Sequence, residues 1–329
     1  MIEVAHLLDD FGMGGVTRAV TLFEEPALRR LARSKVVSVD PDAKLAARLD
    51  AALIIDHMAL SWKRLVFLAS LRARNPRTRI VHVEHSYTRA FEQHNVQSKV
   101  RFRTMLKIAS FLVDEIVCVS NAQCDWLGEE VGIPSHKLRV IHPWTDRDEL
   151  YSVPAAQPAT DRPVRLLAYG RYARVKNFAP LIEAMRRVSP DTATLTVFGE
   201  GPDRAELEAW AADLRNVEVL GPSSSPADFL AHCDAVVVPS RCEAFGLVAT
   251  EARMAGRAIL VADVDGLPEQ VGKAGLVARM DTADAIAEAI HSLVQCDLAA
   301  MGETGRSAAK AQADTIILRW AQLIKQAPV

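Results

Sequence analysis

Short apolar, β-branched runs alternate with longer stretches of helical periodicity along the whole chain, and this alternation leaves few folds open. The runs cover 3–8, 35–39, 52–55, 78–83, 115–119 and 138–141. After an interruption they resume at 164–169, 193–198, 217–220, 235–238, 258–262 and 275–277. Helical patterns fill the gaps, among them 15–31, 60–72, 177–188 and 203–212. Hairpin signals are few. Strands that alternate with helices build parallel sheets covered by helices, so the chain reads as α/β. The interruption is SVPAAQPATDRP (152–163), three prolines in a small, polar stretch, which reads as a linker. The expected organisation is a first Rossmann-like domain over 1–152, a linker over 153–163 and a second Rossmann-like domain over 164–305. A helical tail follows over 306–329, with Ile316, Ile317, Leu318, Trp320 and Leu323. Such sheets bind ligands at the carboxyl ends of their strands, so two facing halves would enclose a cleft.

The chain has 329 residues, half of them hydrophobic, which is enough for two cores. No apolar run approaches the ~20 residues of a membrane span. The start, MIEVAH, lacks a basic segment and a long apolar segment, so no secretory signal is expected. Five cysteines stand at 118, 124, 233, 242 and 296, without a CxxC pair. That pattern speaks against a disulfide framework or a cysteine zinc site and fits a reducing, cytoplasmic setting.

The stretch SRCEAFGLVATEARMAG (240–256) follows the apolar run AVVVP (235–239). It reads as a loop after a buried strand, opening into a helix over 247–255. The first amides of a helix have no partners within it, and the helix dipole adds positive potential there. Ala244, Phe245, Gly246 and Leu247 would offer such amides to a phosphate, and Gly246 lets the backbone approach closely. Glu243 in the loop can reach a sugar hydroxyl beside that phosphate. Glu251, about one turn into the helix, can accept both hydroxyls of a ribose. For either carboxylate taken alone, a solvated surface group is the plainer reading.

The second half resembles the retaining, nucleotide-sugar-dependent glycosyltransferases of family 4, which have the GT-B architecture. The resemblance runs over roughly 166–290. It rests on GRYARVKN (170–177), VFGEGPDR (197–204), DAVVVPS (234–240), the Glu243/Glu251 pair and GLPE (266–269), in that order. It implies that Glu243 holds the donor sugar and Glu251 the ribose, and that Arg171 and Lys176 supply cations to the diphosphate. Arg grips phosphate with parallel donors and Lys acts as a point charge, and both would steady the charge that builds on a departing phosphate. Gly199, in the turn GEGP (199–202), would border the nucleotide. Ala244 stands where the family commonly has glycine.

In the first half, FGMGGVTR (11–18) follows the first strand without matching GxGxxG. Alone it is a plain strand–helix turn. Beside the second half it resembles the family's first glycine loop, with Gly14 and Gly15 as candidate donor contacts. His85, just past the fourth strand, matches the position where a family histidine meets the donor sugar near its reactive carbon. Asp9 and Asp10 read either as residues near the acceptor or, the plainer reading, as caps of the first turn. Asp40-Pro-Asp42 and Asp263-Val-Asp265 spell DxD but fall in ordinary strand-end loops. No metal site and no obligatory metal or other cofactor is expected, because the resemblance gives the charge-neutralising work to Arg171, Lys176 and helix amides. Cys242 reads as a spacer.

The formal charge is −2 overall, yet residues 61–110 hold eleven Lys/Arg against two acids, a local 11 − 2 = +9. Overlapping its end, 96–113 places Phe102, Met105, Leu106, Ala109, Leu112 and Val113 on one helical face and Lys99, Arg103 and Lys107 on another. A solvated face is the bland reading. The sharper expectation is contact with anionic lipid headgroups, each cation worth roughly 1 kcal/mol there, at the inner face of the cell membrane. Nucleic acid is not expected, since no binding module is recognisable.

The resulting expectation is a retaining GT-B transferase that moves sugar from a nucleotide-diphospho-sugar to a saccharide or lipid-linked acceptor in cell-surface glycan synthesis. Other readings of the same residues are a GT-B phosphorylase or epimerase, a catalytically silent sugar-nucleotide-binding or scaffold protein, and a nucleotide-dependent oxidoreductase.

Overall fold

The computed structural model describes residues 1–10, 20–157, 161–223 and 225–328. The chain divides into two compact units, one of Met1–Asp146 with Ala313–Val329, the other of Arg147–Gln312. All twelve expected strands are present, and three of them (Val217–Leu220, Ala235–Val238, Ala258–Ala262) have the expected bounds.

The first unit holds β1 (Ile2–Leu8), β2 (Ala32–Ser38), β3 (Leu53–Asp56), β4 (Arg79–Glu84), β5 (Glu115–Cys118) and β6 (Leu138–Val140). They form one parallel sheet in the order β2-β1-β3-β4-β5-β6. This is a doubly wound order whose direction reverses between β1 and β3, where such sheets open a crevice at their carboxyl ends. All residues of β3 and β5 are buried, as expected of central strands covered on both faces. Helices α1 (Trp62–Arg74) and α2 (Lys99–Leu112) pack together on one face. They bury Phe67, Leu68 and Leu71 from α1 and Met105, Leu106 and Ala109 from α2.

One expected helix is broken. Among the described residues of 15–31, Leu22–Glu24 is a tight turn and Pro26–Arg29 a separate short helix. The proline ring forces Glu25 out of the helical region, to φ −57° and ψ 134°.

The second unit holds β7 (Val164–Arg171), β8 (Ala193–Glu200), β9 (Val217–Leu220), β10 (Ala235–Val238), β11 (Ala258–Ala262) and β12 (Gly275–Ala278). Its parallel sheet has the order β12-β11-β10-β7-β8-β9. Counted within the unit this is the 3-2-1-4-5-6 Rossmann order, with its switch point between β7 and β10. The proline-rich stretch is fastened to this unit. Arg162 grips both oxygens of Asp234, at 2.6 and 2.9 Å, and the buried Arg257 donates to Pro154 O at 2.7 Å.

The helical tail begins earlier than 306. A single 28-residue helix runs over Leu298–Lys325, started by Asp297, whose carboxylate accepts from Ala300 N. Its last turns lie in the first unit, where Leu323 and Ile324 are fully buried and the Trp320 ring meets Phe23 at 5.2 Å.

Candidate functional site

The switch point of the second sheet brings two loops out side by side, one after β7 and one after β10. The loop after β10 is shaped by Gly246, at φ +90°, where a Cβ would lie 2.6 Å from Leu267 Cδ2. Gly246 caps α3 (Leu247–Met254) with no side-chain cap bond. Behind the loop stands Gln270. Its Nε2 donates to Phe245 O at 2.5 Å and Gly246 O at 3.0 Å, and its Oε1 accepts from Thr250 at 2.7 Å. Asp265 accepts from Glu243 N at 3.1 Å. The loop is thus held through the carbonyls of Phe245 and Gly246 and the amide of Glu243, and the positive end of the α3 dipole sits at Gly246 and Leu247. Ala244 and Phe245 are buried, and Leu247 is half-buried.

The loop after β7 carries Arg171, exposed at the strand's end, and Lys176 at the end of a tight turn. Asn177 closes that turn in the left-handed region, with its side chain bonded to Met280 O and to Arg241. The two loops meet in an ion pair. Lys176 Nζ lies 2.5 Å from Glu243 Oε2, with Ser240 Oγ donating to the same oxygen at 3.2 Å. Gly199, paired with Gly170 across β7 and β8, leaves no room for a side chain, since a Cβ would lie 1.9 Å from Gly170 O. A cavity of about 280 Å³ opens beside the turn, lined by Arg174, Asn177, Phe178, Asp203 and Arg241 among others.

Glu251 is almost fully buried, unlike the solvated carboxylate of its plainer reading. Tyr169 Oη donates to its Oε2 at 2.7 Å, and Arg147 Nε lies 3.2 Å from Oε1. Burial, then the Glu251 carboxylate, hold the Tyr169 hydroxyl well above its ordinary range, so it remains a donor. The Tyr169 ring stacks on Phe198 at 4.8 Å. Burial pushes the Cys242 thiol up to about 11, which leaves it un-ionised at neutral pH.

Sequence reasoning missed Tyr169, Arg147, Gln270 and Asp265. Tyr169 precedes Arg171 by two along β7, which places both on one face of the strand. Gln270 directly follows GLPE. Asp265 belongs to one of the DxD triplets and anchors the loop. Arg147 carries no local signal.

In the first unit, His85 leaves the carboxyl end of β4, and its Nε2 lies 3.0 Å from His57 Nδ1. Gly14 and Gly15 lie outside the described residues. Asp9 pairs with the buried Arg64 at 2.5 Å instead of serving only as a cap. Asp40 accepts from Asp42 N at 2.7 Å, and Asp42 pairs with Lys63. Among the described residues, no group of three or more His, Cys, Asp or Glu is placed to hold a metal ion. No described helix is long and apolar enough to cross a membrane.

The basic excess of 61–110 is much reduced in three dimensions. Lys63, Arg64, Arg72, Arg79, Arg89 and Arg103 pair with Asp42, Asp9, Asp114, Glu115 and Glu130, all outside the stretch. Arg103 also grips Glu92 at 2.5 and 2.7 Å, so it is a structural cation and not a free one. Lys99 and Lys107 remain exposed on α2, beside exposed Val100, Ile108 and Phe111.

The family model described as Glycosyltransferase Family 4 matches residues 17–149, and that described as Glycosyl transferases group 1 matches residues 163–296. The uncharacterised glycosyltransferase MJ1178 of Methanocaldococcus jannaschii is 26% identical over 223 residues, 65% of this chain and 60% of that protein. Glycogen synthase of Mycobacterium tuberculosis is 31% identical over 219 residues, 63% of this chain and 52% of that enzyme. The chain's match therefore spans only three-fifths or less of these curated relatives. Among solved structures, Anabaena Alr3699/HepE in complex with UDP and glucose superposes with a TM-score of 0.77 at 17% identity, covering 99% of this chain and 100% of that one.

Proposed function

The chain belongs to the group 1, family 4 glycosyltransferases, and from that premise we propose that it moves a sugar from a nucleoside-diphospho-sugar to an acceptor hydroxyl with retention of configuration. The observation that carries this reading is the Lys176–Glu243 pair at the switch point, beside the helix start at Gly246. A diphosphate arriving there meets the α3 amides, Arg171 and Lys176. Lys176 turns from Glu243 to the phosphate, and Glu243 is released to a hydroxyl of the sugar. Glu251, held by Tyr169 and Arg147, accepts from the ribose. These cations and amides oppose the charge that grows on the leaving phosphate, so the reading requires no metal ion. His85 is a contact of the donor sugar. The acceptor, a saccharide or a lipid-linked saccharide in cell-surface glycan synthesis, belongs to the first unit. UDP-glucose is the first donor to test, because HepE is a structure with UDP and glucose.

The test is a thermal-shift screen against UDP, GDP, ADP, dTDP and CMP, with and without EDTA. A ligand of the folded state at a hundred times its Kd adds about 2.7 kcal/mol. A shift with one nucleoside diphosphate, unchanged by EDTA and lost in Glu251→Ala, supports the reading. Absence of any shift overturns it in favour of a silent scaffold. Anomer-resolved NMR of the transfer product then reads retention.

The membrane belongs to the same proposal in amended form. Lys99 and Lys107 flank the exposed Val100, Ile108 and Phe111 on α2, a mixed basic and apolar ridge suited to an anionic bilayer. Arg103 has no part in it. Sedimentation with phosphatidylglycerol vesicles should carry the protein down, and Lys99→Glu with Phe111→Ser should leave it in the supernatant. Equal sedimentation of both sinks the idea.

A further inference from the structure

Three histidines cross the first sheet in series, one from each of three neighbouring strands. His6 lies in β1, His57 directly follows β3 and His85 directly follows β4. His6 Nδ1 is 3.1 Å from His57 Nε2, and His57 Nδ1 is 3.0 Å from His85 Nε2. Successive rings are tilted by only 21° and 24° with centroids 5.4 Å apart, so they meet edge to edge, as in-plane N–H···N bonds require. We propose that His6 and His57 are positioning residues that fix the tautomer of His85, with its hydrogen on Nδ1 and a bare Nε2. The proposal deepens the reading of His85 as a donor-sugar contact and rests on it.

A neutral imidazole has one donor and one acceptor nitrogen. Three of them in series can be filled in two ways, with every N–H aimed towards His85 or every N–H aimed towards His6. The second filling puts a hydrogen on His6 Nε2. That atom is buried without a hydrogen-bond partner, its ring set edge-on to Phe23 at 4.2 Å. Orphaned buried N–H groups are rarer and costlier than bare acceptors. The hydrogens therefore run His6 to His57 to His85. The free edge of His85 offers Nδ1–H, a donor for a sugar hydroxyl.

The series stays neutral. Burial takes His6 down to about 3 and His85 down to about 4. Burial, followed by His6, His85 and His82, takes His57 well below its usual value. The opposite face of the sheet carries Asp56, His82 and Glu84. Burial alone would lower His82, but Asp56 at 2.9 Å and Glu84 at 3.5 Å hold it up to about 9. From that other face, this buried imidazolium acts on His57 and His85 as a like charge and opposes their protonation, while Glu84 and Asp56 act on His85 in the other sense.

The test is two-bond proton–nitrogen NMR of the intact protein with isotope-labelled histidine at neutral pH, assigning His85 by its loss in His85→Ala. The expected form is Nδ1–H with an unprotonated Nε2. In His57→Phe, the Nε2–H form should appear and kcat should fall about tenfold with little change in donor KM. His57→Gln, whose amide can donate to Nε2, should restore the Nδ1–H form and most of the rate. An Nε2–H His85 in the wild-type protein, or a tautomer unchanged by His57→Phe, overturns the proposal; the wild-type spectrum decides even where a variant fails to fold. The expected tautomer with full activity in His85→Ala would instead remove His85 from the site and leave the series standing.

Discussion

Lys176 and Glu243 meet at 2.5 Å, half-buried, with each supplying the other's counter-charge. Replacing Lys176 by Met removes the charge but keeps the stem. If the pair works as proposed, the loss is of transition-state stabilisation, and kcat should fall roughly 10²–10³-fold. Steady-state kinetics checks this, and an unchanged kcat would put the diphosphate elsewhere. Tyr169 makes a narrower case. Tyr169→Phe keeps the stack on Phe198 and removes only the hydroxyl that steadies Glu251. A hydrogen bond to a charged group is worth about 1.5–3 kcal/mol, so nucleotide Kd by calorimetry should rise at least tenfold. An unaltered Kd would separate Glu251 from the nucleotide. The placement of Glu243 in the loop and Glu251 on the helix was legible because strand, loop and helix signals are local. Arg147 was not, because it reaches Glu251 from 104 positions away in sequence, and tertiary folding alone makes that contact.

At the scale of elements, strands were legible and charge was not. Buried parallel strands read as unbroken β-branched runs, so their positions follow from composition alone. Their neighbours do not, and the switch point between β7 and β10 becomes visible only with the sheet order. The basic run misled because charge counted along a sequence omits partners that folding brings in, such as Glu130 to Arg89 and Arg103. The turn into α3 depends on one residue. Gly246→Ala places a Cβ against Leu267 at a backbone angle that costs about 1–3 kcal/mol for other residues. The expected outcome is a folded protein with a modestly lowered Tm and no thermal shift with nucleotide. A variant that keeps the full shift would mean that the helix start is not the phosphate's seat.

At the scale of the molecule, the histidines make stability depend on pH in an uneven way. His6, His57 and His85 have pKa values depressed below the unfolded value of about 6.5. Their contribution is present above that pH and is lost as pH falls towards 4 and 3, because the unfolded chain takes up protons that the folded sheet refuses. His82 has the opposite sign. Raised to about 9, it contributes fully below the unfolded value and loses its contribution as pH rises through 9. Each proton of difference is worth about 1.4 kcal/mol per pH unit. Three groups on the acid side therefore give a limb of up to about 4 kcal/mol per unit, against about 1.4 on the alkaline side. Stability should peak near the unfolded histidine pKa, with the steeper fall towards acid. All four histidines lie in the first unit, as do Trp62, Trp126, Trp144 and Trp320. Urea titrations followed by tryptophan fluorescence in a Trp210→Phe background would read that unit. A His6→Phe variant should flatten the acid limb by about a third and leave the alkaline limb alone, whereas a symmetric profile in the parent would mean that the series is not held neutral by burial.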